Sequence, residues 1–62
     1  MHADPLLDIA AVADRLGTTE RHVRRMTESR SLPYFKIGAK VRFEANDVDT
    51  WIQNQRIEAI AG

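Results

Sequence analysis

Arg21, His22, Arg24 and Arg25 crowd a stretch of five residues, and their spacing limits what they can do. On a helix each residue turns about 100° from the last, so Val23 and Met26 mark one inward side. Arg21 and Arg25 then lie about 160° and about 200° from Val23 and point away from it. His22 and Arg24 flank that outward face. A guanidinium fork bonds two acceptors at once, on a guanine edge or a phosphate, which a compact ammonium cannot do. Crowded onto the exposed N-terminal half of a helix, such groups suit the major groove of a duplex. An isolated Arg-Arg pair fits a solvated helix face better, and it is the neighbouring segments that turn the reading toward DNA.

A second group of cations follows. Lys36, Lys40 and Arg42 alternate with Phe35, Ile37, Val41 and Phe43 around a short turn, Gly38-Ala39-Lys40. Period-two alternation about a turn predicts a β-hairpin with an apolar face on the core and the three cations on the opposite face. A basic ribbon of this kind reaches phosphates or the minor groove. Lysine on a short strand also guards an exposed sheet edge, so that role stays open for these residues. Net charge is zero over the 62 residues, yet Arg15–Arg42 holds eight basic and two acidic residues, a balance of +6. Each flank carries −3. A basic centre between acidic ends marks a polyanion-binding face that the overall pI conceals.

Signatures of catalysis are missing. His2 and His22 lack the spacing of a metal pair and the chain has no cysteine, so neither a metal site nor a disulfide is expected. No glycine loop could cradle a phosphate and no glycine-flanked serine could act as a nucleophile. Asp47 and Asp49 fall at a predicted helix start, where carboxylates favour the helix dipole. The expectation is a protein with no catalytic residues and no cofactor.

The elements that must hold these cations are legible. Residues 1–6 read as a loose leader and 7–60 as one small domain. A chain this short buries roughly 60% of its unfolded surface, so its core is compact. Asp8 can cap a first helix with Ile9, Val12, Ala13 and Leu16 on one side, and Gly17 ends it. Thr19 can cap a second helix cored by Val23 and Met26, ending near Ser29 or Arg30 because Pro33 forbids continuation. Two short helices joined through a glycine turn make a helix-turn-helix. A last helix is expected from about Ala45 to about Ala59, with Val48, Trp51 and Ile52 inward, and Gln55 or Ile60 as further inward positions. Trp51 is expected as a core anchor. Tyr34 is left between core and surface. The longest apolar run, Ile9–Ala13, cannot cross a membrane, and no secretory signal is visible, which makes the cytoplasm the expected compartment. The fold class is mainly α with a small β-hairpin.

Leu7 through Gly17, Thr19 through Met26, Leu32-Pro33, Lys36-Ile37-Gly38, Val41-Arg42-Phe43 and Asp47 through Ile52 together resemble the excisionase-type winged helix-turn-helix family, related to MerR-like DNA-binding domains. The resemblance covers residues 7–52 and is specific in order and spacing. It implies that the second helix enters the major groove of double-stranded DNA while the wing touches backbone or minor groove. That maps contact onto Thr19, Arg21, His22, Arg24 and Arg25 in the helix and Lys36, Lys40 and Arg42 in the wing. Three positions depart from the family: Arg30 stands where glycine is common, Val41 where tryptophan is frequent and Glu44 where proline is common.

Resemblance to a phage excisionase implies a recombination directionality factor that bends attachment-site DNA beside a tyrosine integrase and favours excision. No coiled coil or effector domain is visible, which favours that architectural role. A small transcriptional regulator of the same fold and a protein-interaction adaptor are the competing readings. The acidic flanks and basic middle also suggest side-by-side assembly along DNA.

Overall fold

A computed structural model describes residues 6–60. Three helices and a two-stranded hairpin follow one another: α1 (Ile9–Leu16), α2 (Glu20–Glu28), β1 (Phe35–Ile37), β2 (Lys40–Arg42) and α3 (Ala45–Asn54). This is the winged helix-turn-helix arrangement. The part of the expected leader before residue 6 lies outside the described residues. Among those described, no helix is long and apolar enough to cross a membrane.

Local chemistry sets both ends of α1. The Asp8 carboxylate accepts the Ala11 N–H at 2.8 Å, satisfying one of the orphan donors of the first turn. Gly17 enters the left-handed region at φ 70°, which lets the Thr18 N–H close onto the Ala13 carbonyl at 2.9 Å. One residue later Thr19 caps α2, its hydroxyl accepting the His22 N–H at 3.1 Å. So tight a turn leaves the two helices packed together over Val12, Ala13, Val23 and Met26, all buried.

The same stop recurs at the end of α2 with a different residue. The Ser31 N–H closes onto the Met26 carbonyl at 2.9 Å and the Arg30 N–H onto the Thr27 carbonyl at 3.1 Å, repeating the α1 pattern. Here the left-handed position is Arg30, at φ 56°. An L side chain there brings Cβ against the following carbonyl, at a cost of about 1–2 kcal/mol. Glycine avoids that cost, although its freer unfolded chain offsets some of the gain. Arg30→Gly is therefore expected to stabilise the fold by about 0.5–1 kcal/mol, read as a rise of a few degrees in Tm by circular dichroism. A fall in Tm would show that the arginine side chain itself holds the turn.

The hairpin differs from its expected form. Gly38 and Ala39 alone make the turn, with Gly38 at φ 61° and Ala39 on the negative side, which matches the primed turn with glycine first. Ile37 therefore pairs with Lys40, Lys36 with Val41 and Phe35 with Arg42. A three-residue turn would have set Ile37 opposite Val41 and kept the apolar sets in phase. Shortening it by one residue puts them out of phase, since a single-residue slip exchanges the faces. Phe35 and Ile37 consequently share a face with Lys40 and Arg42, and are 41% and 54% exposed. Lys36 falls on the other face with Val41. The three cations do not share one face.

Beyond β2, Phe43 is fully buried and pairs with Leu7 through two backbone hydrogen bonds of 2.7 and 2.8 Å. The segment before α1 is thereby stitched to the wing. Tyr34 is 37% exposed and packs its ring 6.4 Å from that of Phe43. Leu32 and Val48 complete the buried core, with Trp51 and Ile52 packed against it and partly buried. Helix α3 stops at Asn54, five residues short of expectation. One turn past Trp51 comes Gln55, so no apolar group continues the inward stripe. Gln55 is exposed, and Ile57 and Ile60 are 90% and 96% exposed. Arg15 on α1 bonds Asp49 on α3 at 2.9 Å, an exposed pair of small energetic weight that bridges the two helices. Asp47 does lie in the first turn of α3, whereas Asp49 serves this pair.

Candidate nucleic-acid interface

Helix α2 presents its cations as its periodicity requires. With Val23 and Met26 buried, Arg21, His22, Arg24 and Arg25 are all exposed. They are not equivalent. Arg24 sits 3.8 Å from Glu20 one turn back, and its backbone carbonyl accepts the Thr27 hydroxyl at 2.6 Å. Arg21 and Arg25 have no acidic partner among the described residues. A cation without a carboxylate keeps its full field for an incoming polyanion, so these two dominate the outward face.

Thr19 has a structural duty. Its hydroxyl oxygen accepts the His22 N–H, one of the free donors in the first turn of α2, which leaves the O–H available to donate to a phosphate. Thr19→Ala is expected to cost about 1 kcal/mol by removing the cap. Thermal melting checks this, and Thr19→Ser should restore the stability.

The wing cations divide. Lys40 is exposed beside the turn and has no acidic partner among the described residues. The Arg42 guanidinium folds back to donate to the Val41 carbonyl at 2.8 Å and is half-buried. Arg24 and Arg42 both line an open groove of about 510 Å³ between α1, α2 and the hairpin. Asp8, Glu20 and Glu28 line the same groove, so its charge is mixed and repels phosphate more than the bare face of Arg21 and Arg25. Lys36, on the opposite face, lines a separate recess with Arg30 and Tyr34. Arg30 is a basic residue that its sequence position alone does not assign to the interface. Its type is visible, but its neighbourhood depends on the two-residue turn.

Residues 6–56 match the model of a family described as a helix-turn-helix domain. The chain belongs to that helix-turn-helix family. The match spans every helix and both strands, and membership supports DNA as the binding partner. No curated protein and no solved structure matches the chain. Within this helix-turn-helix domain, α2 is the second helix of the motif, the one such domains lay in the major groove. Groups of three or more histidine, cysteine or acidic side chains able to hold a metal are absent among the described residues.

Proposed function

We propose that this helix-turn-helix protein is a sequence-specific architectural DNA-binding protein acting as a phage or prophage excisionase. On this reading α2 enters the major groove, with Arg21 and Arg25 reading base edges and His22 and Arg24 on its flanks. Thr19 and the wing cations Lys40 and Arg42 hold the backbone or the adjacent minor groove. Bound at attachment-site DNA, the protein bends the duplex and directs a tyrosine integrase toward excision. The observation that carries the DNA reading is the outward face of α2, where two arginines have no carboxylate partner among the described residues, on a helix-turn-helix scaffold. The excisionase role rests on the resemblance of residues 7–52.

A small domain gains limited affinity from one site, and neighbouring copies along the duplex would add to it by effective concentration. Gel-shift titration on attachment-site DNA, with bend angle measured and integrase then added, tests the role. The expected results are a bent complex, tighter binding per copy on adjacent sites, and excision that depends on the protein. Specific binding to a promoter, without bending or any effect on integrase, would identify a transcriptional regulator. Failure to bind any duplex would leave the protein-interaction adaptor.

A further inference from the structure

Two helix ends of this chain use the same hydrogen-bonded stop; one places glycine in the left-handed position and the other places Arg30. A residue held in a sparsely populated backbone region points to a role for its side chain. Arg30 lines an open recess of about 410 Å³ with Leu32, Pro33, Tyr34 and Lys36. No acidic side chain lines it, and neither Arg30 nor Lys36 has an ion-pair partner among the described residues. Lys36 reaches it because the two-residue turn moves it off the face of Lys40 and Arg42. The recess thus joins two cations without ion-pair partners and a phenol, all exposed, beside Pro33 and the buried Leu32.

We infer that the recess of Arg30, Tyr34 and Lys36 is a second DNA contact that clamps one backbone phosphate beyond the α2 face. The clamp rests on the proposal that the domain binds DNA. The guanidinium supplies paired N–H donors, the ammonium a point charge, and the Tyr34 hydroxyl a neutral donor, a set matched to a phosphodiester. Such a contact fixes the register of α2 in its groove without reading sequence. A cation at a helix C-terminus also complements the helix dipole, and that simpler role makes a different prediction.

The experiment measures duplex affinity of wild type, Arg30→Gly, Lys36→Gln and the double variant across roughly 50–200 mM salt, together with Tm. Arg30→Gly is expected to raise Tm yet weaken binding equally on all duplex sequences. The double variant should lower the slope of log affinity against log salt by about one, as follows when the protein neutralises one phosphate fewer. The single substitutions should be less than additive in log affinity, since both cations hold the same phosphate. An unchanged salt slope in the double variant, with the wild type binding normally, would overturn the clamp and leave Arg30 a helix-end residue. Failure of the wild type to bind any duplex would instead overturn the DNA reading and the clamp with it.

Discussion

Phe43→Ala is expected to unfold the domain. Phe43 is the largest of the fully buried side chains, and it stands where β2 ends, where Leu7 pairs and where Tyr34 packs. Truncating a buried phenylalanine costs about 3–5 kcal/mol, comparable with the whole stability of a domain this small. The truncation would release the hairpin and the segment before α1 together, since both are fastened at this residue. Denaturant melts followed by circular dichroism would show the variant unfolded or nearly so at room temperature. A cooperative melt at the wild-type midpoint would show that the core lies elsewhere. Trp51→Ala should cost less than Phe43→Ala, because Trp51 is only partly buried against the core.

The second large effect concerns binding and leaves the fold intact. Arg21→Ala and Arg25→Ala remove exposed side chains that hold no carboxylate among the described residues. Each is expected to weaken specific DNA binding by about 1–3 kcal/mol and to change discrimination at the contacted base pair. Stability should stay within about 0.5 kcal/mol of wild type. Arg24→Ala should weaken binding less, since Arg24 lies 3.8 Å from Glu20 at the edge of a mixed-charge groove. Titration of the three variants against one specific site checks the order. Equal decreases in all three would mean that net charge, not the direction of the α2 face, governs binding.

What could be read in the sequence was whatever depends on near neighbours. Asp8, Gly17 and Thr19 act within three or four residues of themselves, and the helix-turn-helix followed from them together with the Val23–Met26 spacing. The outward direction of Arg21 and Arg25 followed from the same helical period. The wing was harder because its faces hinge on turn length. Gly38-Ala39 and Gly38-Ala39-Lys40 are both sound turns, but only the shorter separates Lys36 from Lys40 and exposes Phe35 and Ile37. Helix α3 was expected to run on to about Ala59, with Gln55 or Ile60 as further inward positions. Gln55 is polar and exposed, so nothing continues the inward stripe past Trp51, and the helix stops at Asn54. The Leu7–Phe43 pairing joins segments far apart in the chain, which no local pattern encodes. Arg30 shows the most instructive miss: a departure from glycine was visible, while its left-handed backbone and its neighbours Tyr34 and Lys36 belong to the folded structure.

Titration of isotope-labelled protein with duplex DNA, following backbone amide and arginine side-chain resonances by NMR, tests most directly whether α2 and the wing form the DNA face. Salt-sensitive shifts are expected to concentrate at Thr19–Arg25 and at Lys36–Arg42, with the Arg21 and Arg25 guanidinium signals moving most and α3 nearly silent. Shifts confined to α3 or to the acidic ends, or no shift on adding duplex, would contradict that assignment.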